Sequence, residues 1–408
     1  MNKGLITAII LLFSFVITAQ TVNFYYDKGV NNLTSDKVVE AIRNFNYVIE
    51  NYPDYYEAYH MRGVAYLNQK ETDAALKDFE KSISINASYI PAYETRAKFY
   101  ISRENYEEAI KDYNLLIELK PQRVKNYELR AIAYFKDDQL DEAKADFSKA
   151  LEMDSRNASN LYYRGLIYLQ QEQFELAIKD LSNCLNKQTG NAEAYYNRGI
   201  AYFYNQQYSL SKEDLDMAKK YGIGQERLYE FRAKVNLETE FYEEAIADYT
   251  KLINEFHRKE ANLYLNRGIA YKAMQKYDLA IKDFTKTIAR ERESFTAFYE
   301  RAEAYSKLKK DVAAQRDFTS ALNLKDDCFE AYFKRGVYYF DRRDFELAVK
   351  DFSKSLKYQP DSETFYLRGA SFYELGKKKD ACKDLKKSTE MGNKEAEKDH
   401  YRLCYGMK

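Results

Sequence analysis

Apolar residues in this chain recur at helical spacing, in short runs separated by polar turns. Around Gly63, Tyr59 stands four places before and Tyr66 three after, on one face of a predicted first helix. Ala75, Phe79 and Ile83 share one face of a predicted second helix, and the polar stretch 68–72 predicts the turn between them. The arrangement repeats at Tyr264, Gly268, Tyr271, Ala280 and Phe284, and again at Tyr332, Gly336, Tyr339, Ala348 and Phe352. A small residue where two helices cross lets the backbones approach, and large rings fill the space beside it. One such hairpin cannot bury its apolar face alone, whereas stacked copies bury a continuous core.

The period is explicit in the dipeptide Arg-Gly or Arg-Ala. It begins at Arg62, Arg96, Arg130, Arg164, Arg198, Arg232, Arg267, Arg301, Arg335 and Arg368, at intervals of 34 five times, then 35, 34, 34 and 33. Lys28-Gly29 opens the series with Lys in place of Arg, giving eleven units. Pro53, Pro121 and Pro360, three of the four prolines, fall at the turn between units. A period of 34 with small, Ala and aromatic residues at these places resembles the tetratricopeptide repeat (TPR). The resemblance runs from about Val22 to Thr389. It implies an all-α, right-handed superhelical solenoid of about eleven helix-turn-helix repeats, ended by a C-terminal capping helix. The expected organisation is a leader over 1–19, the array over 20–389 and the cap over 390–408. The units of Gly165 and Gly199 depart from the pattern at Leu161, Ser211 and Leu215, and the next unit at Asn236. The glycine-rich stretch 219–225 is the expected place for a bend.

One departure is systematic. The place before the small residue is ordinarily apolar in the family that this chain resembles, but here it is Arg in ten units. Sixteen residues after each Arg stands an Asp: Asp78, Asp112, Asp146, Asp180, Asp214, Asp248, Asp283, Asp317, Asp351 and Asp384. A partly buried guanidinium requires a carboxylate, since an unpaired buried charge costs several kcal/mol. Each Arg is therefore expected to meet an Asp across the seam between helices, in its own unit or the adjacent one. The alternative is an anion-binding Arg stripe, against which the equal number of Asp residues argues. The first unit, with Lys28 and Asn44 in the two places, stands outside the series.

Charge and composition narrow the function. Sixty-four basic residues balance sixty-four acidic ones, which argues against a nucleic-acid partner. The first residues carry Lys3, an apolar run from Leu5 to Ile17 and a small residue, Ala19, before Gln20. That is the pattern of a cleavable export signal, with an uncleaved anchor as the alternative. After cleavage no integral membrane span is expected, and the mature chain is expected in the periplasm or cell envelope, or secreted. In such an oxidising setting Cys382 and Cys404, on the last second helix and the capping helix, are expected to form a disulfide. Cys184 is expected as a buried thiol and Cys328 as an exposed one at a junction between repeats.

No catalytic, cofactor or metal constellation emerges. Gly222-Ile223-Gly224 lacks a third glycine and a preceding strand, and His60, His257 and His400 lie far apart in the repeat order. The expectation is a non-enzymatic scaffold without cofactors. In the family that this chain resembles, first helices line a concave groove for peptides or extended protein segments. The corresponding places hold Tyr162, Leu166 and Leu169, then Tyr196, Ile200, Phe203 and Tyr204. A C-terminal set holds Phe333, Phe340, Tyr366 and Tyr373, with charged places such as Glu230, Lys234, Glu303 and Lys307 between the two. The Asn that chaperone-tail clamps carry after the small residue is missing from all eleven units, which excludes that class. The expected function is an envelope adaptor holding a protein or peptide in this groove. The alternatives are a structural component of a secretion, motility or cell-wall assembly, bound through its convex face or ends, and a glycan-binding groove. The sequence leaves the oligomeric state open.

Overall fold

The computed structural model describes residues 20–405, apart from the side chain of Gln225. The expected leader over 1–19 and the last three residues of the chain lie outside the described residues. The described residues form helices and turns with no strand. A first helix over 20–34 pairs with Val38–Asn51, and hairpins follow at the period of the sequence: Tyr56–Asn68 with Thr72–Ile85, Ile90–Ser102 with Tyr106–Leu119, and onward to Ser362–Glu374 with Lys378–Glu390. A final helix, Lys394–Cys404, packs on the last hairpin. The chain divides into two compact units at Asn197/Arg198, within the helix Ala192–Tyr204. The stretch 219–225 lies inside the second unit, where Gly222 has φ +88° and Ile223 is buried.

The repeat is written into the backbone as well as the side chains. Eight residues after each ladder Arg, and after Lys28, one residue adopts a left-handed conformation. These are Asp36, Lys70, Glu104, Asp138, Glu172, Gln206, Glu240, Gln275, Lys309, Arg343 and Gly376, with φ between 55° and 73°. This residue reverses the chain between the two helices of each hairpin, as a left-handed residue after a helix commonly does. Only the eleventh is glycine. An added residue before the Arg267 repeat is absorbed at residues 255–260, where His257 also takes a positive φ of 55°.

Within each hairpin a small residue of the first helix faces a large residue sixteen places later on the second. A Cβ on Gly63 would come within 2.7 Å of the Phe79 ring, and one on Gly165 within 2.9 Å of Leu181 Cγ. Ala75 and Phe79, Ala280 and Phe284, and Ala348 and Phe352 are all fully buried. Each large residue thus fills the space that the small residue leaves, which is the close-packed arrangement that cores require.

Candidate functional site

The ladder arginines occupy the seams between helices, and all ten meet the Asp of their own repeat through two nitrogens. In the second hairpin, Arg62 donates from Nε and Nη2 to the two carboxylate oxygens of Asp78, each at 2.7 Å. Arg232 and Arg267 grip Asp248 and Asp283 in the same forked geometry. Such planar two-point contact is what guanidinium offers and ammonium does not. The Asp residues are buried, and the Arg side chains are mostly so. Burial works to lower the Arg62 pKa, but the Asp78 carboxylate outweighs it and leaves the guanidinium above its ordinary value. Burial raises the carboxyls of Asp112 and Asp214 above the usual range, against the pull of Arg96 and Arg198.

The third nitrogen stitches one repeat to the one before. Nη1 of Arg62 donates to Asn46, of Arg130 to Asn114, of Arg164 to Ser148, and of Arg267 to Thr250. Arg301, Arg335 and Arg368 reach Thr285, Thr319 and Ser353, and Arg232 approaches Asp216 at 3.5 Å. Each acceptor stands two residues after the ladder Asp of the preceding repeat, except Asn46, which stands two after Asn44 in the first unit. Aromatic rings enclose the same guanidinium. Arg62 lies 5.5 and 5.8 Å from the ring centres of Tyr59 and Tyr66, and Arg267 lies 5.9 and 5.8 Å from those of Tyr264 and Tyr271. The rings flanking the ladder arginines therefore have a second use beside packing. Because these arginines are held by protein groups on several sides, they form a structural ladder rather than an anion-binding stripe.

The expected groove residues sort differently. In the first unit Tyr162, Leu166 and Leu169 are half-buried, and the Tyr162 hydroxyl accepts a hydrogen bond from Asn197. Tyr196 is not a groove residue: it is only 2% exposed. Its place, two before the ladder Arg, is one that a neighbouring first helix can cover. His60 at the equivalent place bonds Thr95 of the next first helix at 3.0 Å, and Glu128 accepts from Asn157 and Asn160 of the next. In the second unit Ile200 and Phe203 are half-buried and Tyr204 is 51% exposed. Phe203 and Tyr204 pack around Phe231, with Lys234 4.9 Å above that ring. Phe333, Phe340 and Tyr373 are half-buried, and Phe333 packs on Phe352. Tyr366 is half-buried and donates to Asp399 of the capping helix at 3.1 Å, so the cap engages it.

Three successive first helices of the second unit are joined by charge. Glu303 accepts from Lys272 of the preceding first helix and from Lys334 of the following one. Burial works to raise the Glu303 carboxyl, but the two lysines outweigh it and hold it below its ordinary value. An open recess of about 420 Å³ lies over this trio, with Lys307, Phe333 and Val337 on its walls.

Cys382 and Cys404 form a disulfide that joins the last hairpin to the capping helix, with Cα atoms 5.7 Å apart. Asn393 caps that helix, accepting from the N–H groups of Glu395 and Ala396. Cys184 is fully buried, which raises its thiol to about 11, and Cys328 is half-buried beside Glu330. Among the described residues no cluster of three or more His, Cys, Asp or Glu is arranged to hold a metal ion. No helix among them is long and apolar enough to cross a membrane.

Hairpins of two helices repeated at this period define a helical-repeat interaction scaffold. The chain belongs to the tetratricopeptide repeat family. Sequence models of that family match residues 56–89, 90–123, 129–183, 265–322 and 329–362, together just over half of the chain. No curated protein matches significantly. Similar solved structures include YrrB, described as a TPR protein with an unusual peptide-binding site, at 19% identity over 45% of this chain and 95% of that one, with a TM-score of 0.41. A tetratricopeptide repeat protein from Parabacteroides merdae is 20% identical over 61% of this chain and 98% of its own, with a TM-score of 0.41. MamA from Desulfovibrio magneticus is 16% identical over 42% of this chain and 96% of its own, with a TM-score of 0.38.

Proposed function

We propose that the protein is an adaptor whose first-helix surface holds a peptide or an extended protein segment. The observation that carries this reading is the mixed apolar and charged surface of the second unit. There Phe203, Tyr204 and Phe231 form an accessible aromatic cluster, and Lys272, Glu303 and Lys334 floor an open recess. Large aromatics that offer both an apolar body and a polar edge are the usual anchors of protein recognition. The first twenty residues of the sequence and the Cys382–Cys404 disulfide support an exported protein working in the cell envelope, where disulfides persist.

The test is crosslinked co-purification from intact native cells, comparing wild type with a Phe203→Ala, Tyr204→Ala double variant of unchanged helicity. Loss of a captured protein in the variant supports the groove. Retention moves binding to another face and favours the structural-component reading. Leu210, Leu279 and Leu347 give that reading its surface, since all three are exposed on second helices twelve places after a ladder Arg. The location is tested by fractionation together with sequencing of the mature N-terminus, which export with cleavage places at Gln20.

A further inference from the structure

The first-helix surface of the second unit has a sign, and the sign selects a ligand. The recess over the Arg267, Arg301 and Arg335 repeats is lined by Lys272, Lys307 and Lys334 against the single carboxylate of Glu303. This local excess stands out in a chain whose total charge is zero. Glu303 is shared between Lys272 and Lys334, and Lys272 also pairs with Glu300. Lys334 keeps two-fifths of its side chain exposed. Lys307, at the end of Phe295–Lys307, is exposed and forms no ion pair among the described residues. Beside these ammonium groups stand the half-buried Phe333 and Val337.

We infer that this recess binds an acidic, extended peptide segment, with a ligand carboxylate between Lys307 and Lys334 and a neighbouring apolar side chain against Phe333 and Val337. The inference rests on the groove reading and gives it a chemical class. Three lysines against the half-buried Glu303 and the neighbouring Glu300 leave a net positive charge facing outward, and a negative ligand discharges it without displacing Glu303. A basic segment would meet two accessible ammonium groups, and like charges brought together across an interface are costly. Glu303 meanwhile fixes Lys272 and Lys334 in place before the ligand arrives. Less side-chain entropy is then lost on binding.

The experiment uses the mature chain with three fluorescein-labelled nine-residue peptides that alternate Leu or Phe with Glu, with Gln, or with Lys. Binding is read by fluorescence polarisation at low and physiological salt. The expected order is Glu over Gln over Lys, with the Glu peptide weakening as salt rises. Lys307→Glu should weaken the Glu peptide at least tenfold. Lys350→Glu, an equal charge change at an exposed position outside the recess, should leave it unchanged. Lys307 is exposed, so the variant retains the fold, as circular dichroism would verify. If the Glu and Gln peptides bind equally, or if the two variants behave alike, the acidic class is wrong while the groove stands. If none of the peptides binds and the cellular capture also survives the Phe203, Tyr204 variant, the groove reading itself falls.

Discussion

Arg62 holds Asp78 with two nitrogens and uses its third to reach Asn46 in the repeat before. The pair closes a hairpin and couples it to its neighbour in one side chain. Removing one partner of a buried pair leaves the other charge uncompensated, which costs about 3–5 kcal/mol where burial is complete. The Arg62 side chain is 18% exposed, so Asp78→Ala should cost somewhat less, about 2–4 kcal/mol. Arg62→Lys should also destabilise, because a lysine cannot make the fork or reach a third acceptor. Repeat arrays need not unfold in one step, so the readout is hydrogen exchange resolved by segment. Faster exchange confined to residues near 38–85 is expected, and unchanged exchange there would overturn the structural role of the ladder.

His60 makes the N-terminal repeats sensitive to acid. Thr95 Oγ1 donates to the Pro91 carbonyl, so it accepts from His60 Nε2–H, leaving Nδ1 to accept from the Tyr89 hydroxyl. Burial holds the ring neutral and lowers its pKa to about 4. The folded value lies below the unfolded value near 6.5, so the unfolded chain binds the extra proton first. The stabilisation is complete above about pH 6.5 and is lost as pH falls toward 4, by up to about 3 kcal/mol. Wild type should lose stability over that window, read from urea midpoints of the N-terminal segments. His60→Asn should be weaker at pH 7 and flatter between pH 6.5 and 4. Parallel curves for the two proteins would rule the histidine out.

The fold was legible to different depths. The ladder spacing of sixteen is visible in the sequence, and all ten pairs meet within their own repeat. The acceptors of the third nitrogen were hidden, since Asn46, Ser148 or Thr285 reads as an ordinary polar surface residue. Polar residues recurring two places after each Asp, and after Asn44 in the first unit, are the signal that marks them. The left-handed turn residues were hidden for a related reason, because Lys70 and Glu104 carry no glycine signal. Tyr196 was misplaced because its burial depends on what covers its column, and a period within one helix does not reveal that. Tyr366 keeps a half-buried place on its first helix, and the capping helix adds Asp399 as a hydrogen-bond acceptor for its hydroxyl, which the repeat pattern does not show. In both cases the missing knowledge was tertiary: the pattern of one helix fixes its own faces and not its neighbours' reach.

Those turn residues also predict a stability gain. A non-glycine residue in the left-handed region is disfavoured by roughly 1 kcal/mol, and ten repeats carry one. Glu104→Gly relieves that at an exposed position and adds chain entropy to the unfolded state, so the net gain should be about 0.5 kcal/mol. Gly376→Ala should lose a similar amount or more, with open space around its Cβ and only the backbone to resist it. Thermal melts of the two variants should move in opposite directions. Shifts of the same sign would show that the turn conformation is not what the substitutions change.

The disulfide is expected to decide whether the cap stays docked. It closes a loop of twenty-two residues, for which constraint of the unfolded chain is worth about 3 kcal/mol. Without it, the cap keeps the Asn393 cap and the Tyr366 to Asp399 bond. Cys382→Ser with Cys404→Ser should raise exchange over 394–404 while leaving residues 38–153 unaffected. An unchanged cap would mean that packing alone holds it.

The end of the array can be read as the ladder stopping. Arg402 stands thirty-four residues after Arg368, in the place of an eleventh ladder arginine, but Leu403 replaces the small residue that follows the other ten. Two places after Asp384 the chain carries Lys386, where preceding repeats present a hydrogen-bond acceptor to the next arginine. By the register of the ladder, Arg402 would face that lysine. It is instead exposed and bonded to Asp399 on its own helix. Two cations at one seam disfavour closer docking, and the disulfide supplies the hold that the ladder lacks there. Lys386→Asn restores the acceptor. In the variant lacking both Cys382 and Cys404 it should slow exchange over 394–404, with about 0.5–1.5 kcal/mol of stabilisation typical of one hydrogen bond. Arg402→Ala added to that protein should abolish the gain. If the gain survives the loss of Arg402, the lysine acts through some other contact and the capping helix is not a truncated continuation of the ladder.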